Sequence, residues 1–159
     1  MADLEQSNDA PAPGTKNPRP SGWLERDVET GAALFLLAIA TRILHLRQIA
    51  ARHPYFQSPA TDGVLYHAWA QEIARGDWLG QGVFIMGPLY ASLMGAFYSL
   101  AGPDLALWKM FQAWLGAGSC MLVWWLAREA FDRRVALLAA LGAIFYEMLI
   151  FYGGTVMVV

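Results

Sequence analysis

The chain has 159 residues, of which 57% are apolar and 15% charged; its net charge is −2 and its mean hydropathy is +0.35. Soluble domains carry about 25% charged residues, so this chain needs an apolar solvent around much of its surface. The small net charge and the absence of a basic stripe exclude nucleic acid as a partner, and a single cysteine, Cys120, excludes a disulfide framework or a cysteine-based metal site within the chain. The composition therefore predicts an all-α, polytopic membrane protein embedded in the lipid bilayer.

The chain begins with a polar segment that is followed by an apolar run. We predict that residues 1–27 are a disordered cytoplasmic tail, because residues 1–22 contain four prolines and no apolar periodicity. The domain that we expect to cross the membrane covers residues 28–159. Its first span is predicted at about 28–50, which is long enough for a membrane-crossing helix.

The segment 51–104 mixes aromatic, acidic and turn-forming residues, and we predict that it is an external loop with juxtamembrane helices. Within residues 62–75, Leu65, Trp69 and Ile73 follow one line, which predicts an amphipathic helix. A second helix is predicted at 88–101 and would be about 21 Å long, which is short for a crossing. We interpret it as interfacial or re-entrant; a short fourth crossing is the alternative.

Two more spans are predicted, at about 105–127 and 135–152. Lys109 is expected to snorkel to the surface at one end of the first of them, and the glycines near its centre, Gly116 and Gly118, should let another helix approach closely. The turn at 128–134 contains three arginines, whereas the loop at 51–104 contains two arginines and no lysine. Because positive charge accumulates on cytoplasmic loops, the turn and the amino terminus should be cytoplasmic and the long loop external.

An aspartate at the start of the first juxtamembrane helix is the leading candidate for chemistry. A carboxylate there, Asp62, could accept a proton from an acceptor hydroxyl as a general base. Tyr66 lies one turn further on, and His67 lies beside it. Alternatively, Asp62 or Thr61 caps the helix, a role that is compatible with catalysis.

Basic residues near the outer end of the first span form a second candidate group. Arg42 and His45 lie on one helical face, and a guanidinium can hold the phosphate of a lipid carrier in a bidentate fork. Snorkelling to the lipid headgroups is the alternative, and it accounts for Arg47 better than for Arg42, which lies deeper.

An acid, Glu147, lies within the last predicted span. An acid at that depth should face protein or water, and it is either functional or hydrogen-bonded to a residue such as Gln112 or Ser119.

Three stretches occur in the order TDGVLYHAWAQEIARGDWLGQGVF, GPLYASLMGAFYSLAG and RRVALLAALGAIFYEMLIFY. In this order and spacing, over roughly residues 40–153, the chain resembles the glycosyltransferase family 39-like branch of the GT-C superfamily. That branch contains the protein mannosyltransferases and the aminoarabinose transferases of lipid A. The chain is most similar to bacterial members that are often joined to tetratricopeptide repeats.

The resemblance implies a multi-pass glycosyltransferase of the bacterial inner membrane that uses a polyprenyl-phosphate-linked sugar donor, with its active site on the outer face. It implies that Asp62 is the catalytic base. The residues that we expect to bind substrate are Arg42, Tyr66, His67, Tyr90 and Glu147. The pattern identifies no certain cofactor, and a divalent metal ion is compatible with it. Such enzymes usually have ten or more spans, so we expect an amino-terminal fragment that packs against the remaining transmembrane helices of a full-length protein and is inactive alone.

A non-enzymatic reading also fits the composition. The chain could be a piece of a transporter or an assembly subunit whose spans only pack against partners. The loop at 51–104 favours the enzyme, because a transporter has little use for an amphipathic helix that begins with an acid outside the membrane.

Overall fold

The computed structural model describes residues 23–52, 56, 62–78 and 87–156. Every regular element in these ranges is an α-helix, which confirms the predicted all-α class for the described part of the chain. The helices are α1 (Trp23–Arg52), α2 (Asp62–Ala74), α3 (Pro88–Ala101), α4 (Leu105–Ala130), α5 (Arg133–Phe145) and α6 (Glu147–Gly154). The predicted disordered tail at 1–27 is wrong for its last five residues, because α1 already begins at Trp23; residues 1–22 and the alternative cap at Thr61 lie outside the described residues.

Two helices are long and apolar enough to cross a membrane, over Arg26–Arg52 and Leu105–Ala130. A third candidate is the pair α5 and α6, which is bent by 46°. The span predicted at 135–152 thus corresponds to two helices joined at a bend. Tyr146 interrupts it with an extended conformation (φ −68°, ψ 108°), and its carbonyl accepts the first hydrogen bond of α6 from Leu149 N at 3.1 Å. Glu147 then stands in the first turn of α6, where the helix dipole favours a carboxylate.

α1 and α4 pack against each other in antiparallel directions. Asp27, near the start of α1, forms an ion pair with Arg128 near the end of α4 at 3.0 Å. Further along α1, Arg42 contacts Gly116 and Cys120, which precede Arg128 in α4. The direction of α1 along the bundle is therefore opposite to that of α4.

The interface of α1, α4 and α5 is built on small side chains. Five alanines in it are at most 2% exposed: Ala38, Ala113, Ala117, Ala136 and Ala140. Small residues let helix backbones approach closely, which is how transmembrane helices gain packing energy without a hydrophobic driving force. At the centre of α4, where a close helix approach is predicted, Ala117 is fully buried and Gly116 lies against the Arg42 side chain, whereas Gly118 has no neighbour within 4 Å of its Cβ position.

The connection between α4 and α5 is shorter than the predicted turn at 128–134. α4 continues to Ala130, and the Asp132 carboxylate caps α5 by accepting a hydrogen bond from Val135 N at 2.9 Å. The guanidinium of Arg133 donates to Thr30 Oγ1 of α1 at 2.7 Å. This tight turn is thereby attached to the start of α1.

α2 and α3 form a helical hairpin with the bounds that the sequence indicates. Gly76, with φ +104°, follows α2, and Pro88 stands in the first turn of α3. Gly102, with φ +85°, ends α3 and donates its backbone N–H to Tyr98 O at 2.9 Å. Both glycines adopt the left-handed region, which other residues rarely enter.

The buried face of α2 differs from the predicted line of Leu65, Trp69 and Ile73. Leu65 is 58% exposed, and the buried residues are Gly63, Tyr66, Ala70 and Ile73. This face packs on Ala91, Met94, Gly95 and Tyr98 of α3. The small Ala70 lies close to Gly95 of α3, whereas the apolar Leu65 lies outside this contact.

The Gly95→Ala substitution should separate α2 from α3. A Cβ at position 95 would lie 2.5 Å from Ile73 Cγ2 and 3.1 Å from the Ala70 carbonyl oxygen. Overpacking of this kind costs about 1–3 kcal/mol, and the β-branched Ile73 cannot rotate away freely. Protease protection of the hairpin in nanodiscs should fall, and Ile73→Ala in the same chain should restore part of it. Wild-type protection in the single variant would contradict the close packing.

Candidate functional site

The guanidinium of Arg42 is buried between α1 and α4, with the residue only 3% exposed. One terminal nitrogen, Nη1, donates to Ala38 O at 3.1 Å, and the other, Nη2, donates to Cys120 Sγ at 3.4 Å. The Nε atom is enclosed and has no hydrogen-bond partner. Gly116 makes room for it, because a Cβ on that residue would lie 2.7 Å from Nε.

No carboxylate of the described residues forms an ion pair with Arg42. The ion pairs of the bundle lie at its other end, where Asp27 binds Arg128 and Arg133. A carbonyl and a thiol are weak compensation for a buried cation, and burial of an unpaired charge is expensive. The site around Arg42 is therefore electrostatically incomplete and suited to an anion.

Two further polar atoms near this guanidinium are enclosed and have no partner: His45 Nε2 and Gln112 Oε1. His45 lies three residues after Arg42, and Gln112 lies four residues before Gly116. Because α1 and α4 are antiparallel, His45 lies about one helical turn from Arg42, and Gln112 about one turn from Gly116, towards the same end of the bundle. The three unpartnered atoms, which we call the polar layer, therefore occupy neighbouring levels of one interface.

α6 closes the polar layer on a third side. A Cβ on Gly154 would lie 3.5 Å from His45 Cδ2 and 3.3 Å from Leu46 Cδ2. Gly154 thus lets the last turn of α6 lie directly on the histidine ring. The bend at Tyr146 sets the direction in which α6 approaches this position.

Aromatic side chains connect the polar layer to α2 and α3. The ring centroids of Tyr66 and Tyr90 are 5.0 Å apart in an edge-to-face arrangement, and Trp108 Nε1 donates to Tyr90 Oη at 2.9 Å. Burial raises the pKa of the Tyr90 phenol, while hydrogen bonds from Trp108 and Gln112 partly offset the rise. Tyr66 and Tyr90, both predicted to bind substrate, are therefore brought together beside Gln112.

His67 is adjacent to this aromatic group but has partners of its own. Its Nδ1 lies 2.8 Å from Tyr98 Oη, and its Nε2 lies 2.8 Å from Gln71 Nε2. Burial lowers the pKa of the imidazole, which favours the neutral ring. The predicted role of His67 in substrate binding remains a prediction, and in this structure the residue ties α2 to α3.

Asp62 and Glu147 are both exposed, at different places. Asp62 is the first residue of α2, one turn before Tyr66. Glu147 lies at the bend between α5 and α6, seven residues before Gly154, and does not join the polar layer. The alternative hydrogen bond between Glu147 and Ser119 or Gln112 is not formed; Ser119 Oγ donates to Leu115 O at 3.1 Å instead.

Lys109 is a residue that sequence reasoning misplaced. It is 6% exposed, so the predicted snorkelling is wrong. Its ammonium donates to Phe56 O at 2.6 Å and lies 4.2 Å from the centroid of the Phe56 ring. Phe56, which follows α1 in the chain, therefore contacts the start of α4, and this contact could not be inferred from α4 alone.

The sequence indicates Gln112 only as a possible partner of Glu147. A polar amide within the apolar stretch of α4 is the sequence feature that could identify Gln112 as a site residue, but its position beside Tyr90 depends on α3. As for metals, no group of three His, Cys, Asp or Glu side chains in the described ranges is arranged to hold an ion.

The chain was compared with protein-family models, curated proteins and solved structures, and none of them matches.

Proposed function

We propose that the chain is the amino-terminal part of a multi-pass membrane glycosyltransferase that transfers a sugar from a polyprenyl-phosphate-linked donor to an acceptor hydroxyl on the outer face of the membrane. One observation carries the proposal: Arg42 is a buried cation without a counter-anion, inside a helix that is apolar enough to span a membrane. A lipid phosphate is the anion that reaches such a place from within the bilayer. The phosphodiester of the donor would supply the missing negative charge.

The reaction assigns separate tasks to Asp62 and Arg42. The carboxylate of Asp62 takes the proton of the acceptor hydroxyl, and the oxygen attacks the anomeric carbon as the carbon–oxygen bond to phosphate breaks. The polyprenyl phosphate leaves with that electron pair, and the anomeric configuration inverts. Arg42 stabilises the negative charge that develops on the departing phosphate. Electrostatic stabilisation of this kind is usually the largest single contribution to the rate enhancement of an enzyme.

The contacts at the two ends of the bundle support the proposed topology. The Lys109–Phe56 hydrogen bond places the end of α1 beside the start of α4, so the chain leaves and re-enters the bundle at one end. A hairpin of α2 and α3 between these points need not cross the bilayer. The arginines of the α4–α5 turn lie at the opposite end with the start of α1, as expected for a cytoplasmic face.

Cysteine labelling should reveal this topology. Ser99 of α3 and Phe131 of the turn are exposed in the structure. In a Cys120→Ser background, Ser99→Cys should react with a membrane-impermeant thiol reagent from outside, and Phe131→Cys only after the membrane is permeabilised. Outside labelling of Phe131→Cys would refute the topology.

The function itself is tested by turnover. The full-length protein, reconstituted in liposomes with a polyprenyl-phosphate-linked sugar, should transfer the sugar to an external acceptor and release polyprenyl phosphate in equal amount. A full-length protein that binds no polyprenyl phosphate and transfers no sugar would favour the non-enzymatic alternative, in which the spans serve only for assembly.

A further inference from the structure

An exposed acid, Glu147, lies within an apolar surface where α5 meets α6. The side chains around it, Phe145, Tyr146, Met148 and Leu149, are each more than half exposed. Glu147 is exposed with them. Within the described part of the chain, its carboxylate has no ion-pair or hydrogen-bond partner.

The position of Glu147 along the helix pair is too deep for a membrane surface. α5 and α6 together are long and apolar enough to form one bent span. Arg133 begins α5 and donates to Thr30 near the start of α1, so α5 starts at that end of the bundle. Glu147 follows Arg133 by 14 positions, which is about 21 Å of helix, whereas the hydrocarbon core is about 30 Å thick. Acids at such depths face protein or water rather than lipid, so this carboxylate needs a cover.

The exposed face of α5 that leads to this acid has the spacing of a helix-packing surface. Val135, Leu138, Gly142 and Phe145 follow one another at intervals of three and four residues, and all four are exposed. They lie opposite the face of α5 that packs on α1 and α4. Nothing lies within 4 Å of a Cβ placed on Gly142, so a further helix can approach the backbone closely there.

We infer that this face of α5 and α6 binds a further membrane-spanning helix that carries an arginine or a lysine at the level of Glu147. An ionised carboxylate only accepts hydrogen bonds, and its place in the first turn of α6 favours a negative charge. A basic side chain supplies both donors and the opposite charge, which lipid tails do not. The inference requires α5 and α6 to lie in the membrane and does not depend on sugar transfer.

The test uses the 159-residue chain in nanodiscs and three leucine–alanine peptides of about 20 residues, a length that spans a bilayer. The peptides carry arginine, glutamine or leucine near their centre. Glu147→Gln keeps the shape of the side chain and removes its charge, and Glu29→Gln, at an exposed position near the start of α1, is the matched control. Binding is measured by energy transfer between the labelled amino terminus and the labelled peptide, in chains whose buried Cys120 resists a thiol reagent.

We expect the wild-type chain and Glu29→Gln to bind the arginine peptide about tenfold more tightly than the leucine peptide, as for one hydrogen bond between charged groups. Glu147→Gln should lose this preference. Equal binding of the arginine and leucine peptides by the wild-type chain, or equally tight binding of the glutamine peptide, would overturn the inference. Self-association of the chain that excludes the peptides and is lost in Glu147→Gln would overturn it as well, because a second copy would then cover the face. None of these outcomes affects sugar transfer by the full-length protein, which tests the proposed function separately.

Discussion

The Asp62→Asn variant of the full-length protein should lose about 10²–10⁴-fold in turnover, while its folded amount in the membrane stays close to that of the wild type. Asparagine keeps the shape of aspartate and caps a helix about as well, so α2 should still begin at residue 62. It cannot accept the proton of the acceptor hydroxyl, and the loss of a positioned general base has this magnitude. The measurement is sugar transfer from a polyprenyl-phosphate donor, normalised to folded protein.

The Asp62→Ala variant separates catalysis from capping. If the Asp62 carboxylate only caps the helix, the alanine substitution should destabilise α2 by about 1 kcal/mol, and the asparagine substitution should have almost no effect. If Asp62 is the base, both variants should be equally inactive per folded molecule. An asparagine variant with wild-type turnover would end the catalytic assignment of Asp62.

The second large effect concerns Arg42. The Arg42→Gln variant should bind polyprenyl phosphate about 10- to 150-fold more weakly, because a hydrogen bond to a charged group contributes about 1.5–3 kcal/mol. Binding of polyprenol, which has the same chain without the phosphate, should not change. The two ligands can be compared by competition in nanodiscs, with size-exclusion profiles as the check on folding.

A pair of glycine variants tests the position of the guanidinium without changing its charge. In Gly116→Ala, the new methyl group would lie 2.7 Å from Arg42 Nε and displace it, so phosphate binding should weaken. Gly118→Ala places a methyl group where nothing lies within 4 Å and should bind polyprenyl phosphate normally.

Equal affinity of the wild-type protein for polyprenol and polyprenyl phosphate would show that Arg42 binds no phosphate.

The sequence predicted the helices better than it predicted their faces. The bounds of α2 and α3 follow from local signals, namely Pro88, Gly76 and Gly102, and local signals are visible in a single sequence. The buried face of α2 depends on where α3 places its small Gly95, and this is a property of two helices together. Leu65 is more apolar than Tyr66, so a rule based on hydrophobicity alone chose the wrong residue.

In the candidate site, too, local features could be predicted from the sequence, and contacts between helices could not. Arg42 and His45 were recognisable because ionisable residues in an apolar run are conspicuous. Gln112 became a candidate only when α4 was seen to place it beside Tyr90. The bend at Tyr146 could not be expected either, because the sequence around it contains no proline, which is the usual cause of a sharp kink.

The distance along the chain between Arg42 and its partner Cys120 has a consequence for biosynthesis. These residues are 78 positions apart, and at a synthesis rate of 5–20 residues per second the thiol is made roughly 4–16 s after the guanidinium. During this interval α1 is already hydrophobic enough to enter the membrane but has no helix to receive its cation. If α1 spans the membrane as we propose, we expect Arg42 to stay near the lipid–water boundary until α4 is made and can enclose its guanidinium.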